Sequence, residues 1–350
     1  MRYRIFIIAL VLLAFSSCKK DEPEAVPAVF NPPGVFVLNE GNFTTGNASL
    51  TWIGFQSDTV MSDAFYAVNK VPLGDVANYM TIHNNKGYIV VNNSGLIYVT
   101  NISDGTFLGK ISGLTSPREL LIISDNLALV SDLYDKYLTV VNPSTFEVTG
   151  KIDLNGRSSE SMQKIGNRVF VANWSGLNQK NPNDKVLVVE LDNLKLVDSV
   201  QVTKEPNSMV VDKNGKLWIL CSGGYGNTET PALYRIDPFD NSIERRFDFP
   251  EKNSNPFSLS INGAGEQLYF LNKSVFRMNI AADQLPTQPF IENGENNFYT
   301  LGVRPDIEEL FVSDVLDYVR NGKVLVYNQS GSFKHKFEAG IIPGYFCFYH

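Results

Sequence analysis

The chain has 350 residues, 43% of them hydrophobic, and a formal net charge of -7. That length and composition allow one large domain or two ordinary ones with a sizeable core. Without Arg2 and Arg4 of the leader, 28 basic residues face 37 acidic ones; no Lys/Arg stripe appears, which argues against nucleic acid as a partner.

Residues 1–17 pair a basic start, "MRYR", with the apolar run "IFIIALVLLAF". The run is short for a bilayer span and fits a signal-peptide core. It ends in "SSC", which resembles the lipobox of bacterial lipoproteins and makes Cys18 the expected lipidated residue, anchoring the chain to a membrane. The alternative is an ordinary secretory signal with a chance cysteine. Residues 18–33 read as a tether: an acidic "KKDEPE", similar to the surface-export signal of Bacteroidota lipoproteins, then four prolines that stiffen the spacer. The expected location is the outer membrane, exposed at the cell surface.

From residue 34 the chain repeats. Short runs beginning at 76, 117, 159, 206, 256, 298 and 343 are each followed, except the last, by a turn and an apolar strand such as "GYIVV", "NLALV", "GKLWIL" or "EELFVS". A polar elbow and a third strand come next, for example "LIYVTN", "YLTVVN" or "KVLVYN", and a more polar fourth strand closes the unit. Four strands per 41 to 50 residues, counted between those starts, is the grammar of a propeller blade. A sandwich does not explain the copies, and solenoid coils are shorter. The 34–61 stretch holds three strands and lacks a first; the C-terminal "GYFCFYH" is a first strand without successors. Together they complete a seventh sheet. The expected fold is all-β, a seven-bladed β-propeller over 34–350 whose C-terminal strand closes the N-terminal blade, with Phe346 and Phe348 directed into it. Cys221 and Cys347 are expected to be buried free thiols.

In such a blade the loop before strand one and the loop after strand two share one end of the ring. The second-to-third elbows, beginning with "NEGNF" at 39–43, contribute Asn42, Phe43, Asn93, Tyr134, Trp174, Tyr225, Asp317 and Tyr318. The starts of the first strands contribute Asn78, Arg118, Glu160, Asn207, Phe257, Tyr299 and Tyr345. Asparagine both donates and accepts, while Tyr and Trp offer flat apolar area with a polar handle, a mixture suited to a large, polar, partly planar ligand. Asn and Asp are also turn formers, which is the plain alternative. Three scattered histidines and the absence of HExxH, GxSxG or CxxC motifs give catalysis, metal or cofactor little support. Calcium at Asp132, Asp135, Asp314 and Asp317 lacks an EF-hand-like run.

"VFVLNEGNF", "LGDVANYMTIHNNKGYIVVNN" and the literal "YVTN" at 98–101 resemble the YncE-like/DUF5074, YVTN-type propeller lipoproteins of Bacteroidota. Within that group the chain is similar to the BtuG type, which binds cobalamin and passes it to a TonB-dependent outer-membrane transporter. The resemblance implies a non-enzymatic surface receptor for a corrinoid or similar small molecule. Two further readings stay open: a protein- or glycan-interaction module, and a propeller enzyme of the lactonase or lyase type.

Overall fold

The computed structural model describes residues 30–56, 59–174 and 183–350. The expected signal segment, Cys18 and the tether up to residue 29 lie outside the described residues. No helix among the described residues is long and apolar enough to cross a membrane.

Seven antiparallel sheets form a ring. Blade two is typical: strands Ala77–His83, Lys86–Val91, Leu96–Asn101 and Phe107–Ser112 run in order from the axis outward. The second strand is almost wholly buried and the fourth almost wholly exposed. An inner strand is covered on both faces by neighbouring blades, so "KGYIVV" needs no polar alternation, whereas the outer strand meets water. The core is correspondingly divided into seven wedges, each drawn from two adjacent blades. Between blades four and five, for instance, Phe170 and Val188 meet Leu217 and Ile219. Each such side chain contributes about 1.5–3 kcal/mol by leaving water.

Closure is made by the chain ends. Pro343–Tyr349 pairs antiparallel with Gly34–Asn39, on the opposite edge from Ser49–Gly54. Phe346 is buried and Phe348 partly so, both against Phe311 of blade seven at ring-centroid distances of 6.0 and 5.2 Å. On the other face Cys347, a buried free thiol like Cys221, joins the wedge toward blade two.

Three features depart from the repeat. Blade six has three strands, Phe257–Ile261, Gln267–Asn272 and Ser274–Asn279, and its fourth position holds a single bridge between Val275 and Ile291. The segment that should fill it carries Pro286 and Pro289, which lack the N–H a ladder needs. A short helix, Ala64–Asn69, follows blade one and buries Phe65 against Tyr98. Phe30, read as tether, is 2% exposed and wedged against Phe36 and Trp52, with its N–H donated to Ser103 O at 2.8 Å. The end of the tether is therefore docked between blades one and two.

Candidate functional site

At the elbow end of the ring all seven blades contribute to one cavity of about 860 Å³. The local cause is a repeated irregularity. In six blades the first strand slips register on its second strand near its start: at Ala77/Tyr79, Pro117/Leu120, Pro206/Ser208, Phe257/Ser260, Phe298/Leu301 and beside Gly344. A bulge breaks the two-residue alternation, so consecutive side chains can reach the same side. The pairs Asn78-Tyr79, Arg118-Glu119, Asn207-Ser208, Phe257-Ser258, Tyr299-Thr300 and Gly344-Tyr345 all line the cavity.

The "NEGNF" elbow shows how a turn becomes a wall. Asn39 is fully buried and braces its own blade, donating to Ser49 Oγ and Thr51 Oγ1 and accepting from Gly340 N–H. Gly41 has φ +73°, and a Cβ there would stand 2.7 Å from Ala48 N, so glycine is required. Between them Glu40 donates its N–H to Ile342 O and sends its carboxyl toward the axis, where it accepts from the Tyr299 hydroxyl at 3.0 Å. A Cβ on Gly344 would collide with this carboxylate, so a larger residue at 344 would push Glu40 out of its place. Val76 and Ile342, β-branched residues with φ +60° and +54°, precede the first strands of blades two and one, a strained backbone kept at the cavity's edge.

Charge is concentrated in the cavity. Arg118 grips Glu160 with two parallel hydrogen bonds of 2.7 Å, Nε to Oε2 and Nη2 to Oε1, and lies over the Trp174 ring at 5.5 Å. Loss of water pushes Glu40 up to about 7 against the counteracting field of Arg118. The same cause pushes Glu119 up to about 8, although Met162 N–H donates to it at 2.8 Å. Both groups keep some exposed area, but that area faces the cavity rather than open solvent. The Tyr79 and Tyr345 rings meet at a tilt of 48° with centroids 4.7 Å apart, and burial raises both phenols far above the ordinary range.

These shifts make stability fall with rising pH. Below about pH 4.5 both carboxyls are protonated whether the chain is folded or not, and they contribute nothing. Between there and about pH 8 the unfolded chain has lost protons that the folded chain keeps, so unfolding becomes easier as pH rises. Glu119→Gln removes its share: urea denaturation should show the variant gaining on the parent by about 2 kcal/mol between about pH 5 and 8, the ideal slope being discounted for water in the cavity. Parallel pH profiles would show that Glu119 keeps its charge.

Ten of the fifteen candidates meet in this cavity: Asn78, Arg118, Tyr134, Glu160, Trp174, Asn207, Tyr225, Phe257, Tyr299 and Tyr345. Two of the asparagines spend their donors on the scaffold, Asn78 on Arg118 O and Asn207 on Pro256 O, stitching adjacent blades. The other five lie outside the cavity lining. Asn42 donates to Tyr318 O at 2.6 Å, tying elbow one to elbow seven, and the Tyr318 ring meets Tyr299 edge-on. Asp317 holds Arg320, Asn93 donates to Asp75, and Phe43 stands 67% exposed. The blade-four elbow beyond Trp174, residues 175–182, lies outside the described residues.

The aspartates weighed for calcium are turn braces. Asp132 accepts from the N–H groups of Ser116, Tyr134 and Asp135, and Asp314 from those of Asn297 and Leu316. Among the described residues no group of three or more His, Cys, Asp or Glu could hold a metal ion. Glu40, Tyr79, Glu119, Glu205 and Asn255 also line the cavity, beyond the candidates named from the sequence. A strict alternation along the first strands hides the residue next to each candidate; the bulge exposes it.

The fold and the site define a seven-bladed propeller with a deep axial cavity on its elbow face. Residues 33–339 match the family described as Domain of unknown function (DUF5074), and the chain belongs to that family. No curated protein matches it in sequence. A quinonprotein alcohol dehydrogenase-like protein from Bacteroides thetaiotaomicron is similar in structure, with a TM-score of 0.70, 15% identity, and coverage of 92% of this chain and 79% of that one. Kuenenia stuttgartiensis hydrazine synthase follows with 0.59 at 11% identity, covering 77% and 88%. Apo AztD from Citrobacter koseri gives 0.56 at 10% identity, covering 89% and 96%. At these identities the likeness is one of fold.

Proposed function

We propose that the chain is a non-enzymatic, surface-tethered lipoprotein that captures a small molecule with a flat, polar-edged ring and delivers it to a TonB-dependent outer-membrane transporter. A corrinoid is the ligand its resemblance implies. The observation that carries this reading is the convergence of all seven blades on one large cavity walled by Tyr79, Trp174, Phe257, Tyr299 and Tyr345. A volume of about 860 Å³ lies in the range of small-molecule sites. Tyr225 and Tyr134, 73% and 61% exposed at the mouth, give a partner or a large ligand apolar area to cover.

Calorimetry with cobalamin and cobinamide tests it. Saturable heat is expected, and Trp174→Ala should weaken binding about ten-fold or more, equivalent to about 1.4 kcal/mol. No heat at high micromolar concentration removes the corrinoid. Recovery of a barrel protein with the native lipoprotein from outer membranes supports delivery; recovery of a secreted or cell-wall partner favours an adhesion module.

The second reading, a lactonase- or lyase-type enzyme, draws on the same carboxyls, since groups poised near neutrality recur where protons are transferred. Turnover of lactones or uronate glycans that disappears in Glu119→Gln would favour it over binding.

A further inference from the structure

The charges lining the cavity are unequal in number and in availability. Four glutamates reach it: Glu40, Glu119, Glu160 and Glu205. Among the described residues one basic side chain, Arg118, answers them. Arg118 is already committed: its Nε and Nη2 donate to both oxygens of Glu160, and its flat face rests on Trp174. An incoming phosphate, sulfate or carboxylate would find, among the described residues, no uncommitted cation and would face the remaining carboxyls. An incoming cation would find the reverse. Glu40 has the Tyr299 hydroxyl and the field of Arg118 to balance it, and Glu119 has the Met162 N–H and, more weakly, the same arginine's field.

The walls complete the environment that such a group prefers. Tyr79 and Tyr345 present adjoining rings, and Tyr299 stands beside Glu40. A positive charge over aromatic faces is attracted by their quadrupoles, most strongly where water is excluded. The cavity already contains one such arrangement in Arg118 over Trp174. We propose that the ligand of this cavity is an organic cation with a flat apolar face, its charge seated between Glu40 and Glu119 and its ring against the Tyr79–Tyr345 wall. This rests on the cavity being the binding site, and it adds the sign of the ligand's charge.

Three probes that share one ring system separate the two claims: 10-methylacridinium, a cation; acridone, neutral; and 9-acridinecarboxylate, an anion. Their binding to the purified protein is followed by fluorescence and calorimetry at about pH 8, where Glu40 is mostly ionised and Glu119 about half so. The cation should bind at least about ten-fold tighter than the anion, with acridone between them. Glu40→Gln and Glu119→Gln should each weaken the cation several-fold and leave acridone unchanged; near-UV circular dichroism confirms that the variants are folded. In the parent protein the cation should weaken as pH falls toward about 5.5, because the carboxyls must then lose protons to receive it. Should either variant fail to fold, this pH series and the three-probe ranking still decide the matter. An anion that binds as tightly as the cation, or a cation preference untouched by both substitutions, overturns the inference while leaving the cavity a binding site. If none of the three binds, both readings fall.

Discussion

Deleting residues 343–350 should abolish stable folding. The lost strand is the inner edge of blade one, and its removal strips the ladder from Gly34–Asn39. It also removes Phe346 and Phe348 from the wedge that joins blade seven to blade one. Losing the buried Phe346 alone costs about 3 kcal/mol or more, and the half-buried Phe348 adds to it, against a net stability of about 5–15 kcal/mol for a typical domain. The damage does not stay local. An opened ring exposes the faces of two blades and leaves a long unpaired edge, the kind of surface that aggregates. Soluble expression, thermal melting and limited proteolysis of the truncated chain provide the measurement. A truncated protein that melts with the parent's midpoint and cooperativity would show that the seven wedges hold without closure. Phe346→Ala is the milder companion, expected to destabilise by about 3 kcal/mol without preventing folding.

The second large effect belongs to the cavity. Arg118→Met should destabilise by about 3 kcal/mol at neutral pH, because it leaves the largely buried Glu160 carboxylate without its partner. Side-chain exposures of 17% for Arg118 and 14% for Glu160 place the pair far from the surface regime in which ion pairs count for little. In Arg118→Met/Glu160→Gln most of the loss should return, since the cost lay in the orphaned charge rather than in the missing bond. Equal losses in the single and double variants would instead assign the stabilisation to Arg118 packing on Trp174. A further consequence distinguishes this pair from ordinary scaffold. Arg118 holds the Glu40 carboxyl down, so the substitution should move Glu40 titration to still higher pH, observable by NMR of a side-chain-labelled sample. That shift would be absent if the cluster were electrically independent.

Together these two experiments probe different length scales of one design. Closure fixes the seven first strands around the axis, and the axial side chains then exploit the enclosure. Glu40 and Tyr299 illustrate the dependence: their hydrogen bond joins blade one to blade seven, across the very seam that the C-terminal strand seals. A cavity built from every blade is lost whenever the ring opens, even if individual sheets survive.

Much of this was legible in the amino-acid order. Each blade is a series of antiparallel neighbours joined by short turns, so its strands appear as apolar runs separated by Gly, Asn and Asp, and the unmatched ends announce the closing strand. The elbow aromatics and the first-strand starts also point to the right end of the ring, and ten of fifteen candidates line the cavity. What the order of residues left undecided depends on non-local geometry. Tyr79 and Glu119 face the axis only because bulges break the two-residue alternation. Glu40 meets Tyr299 across 259 positions only because the ring is closed. Phe30 is core rather than tether because a hydrophobic slot between blades one and two receives it. The raised carboxyls exist because several blades together exclude water that no single blade could exclude.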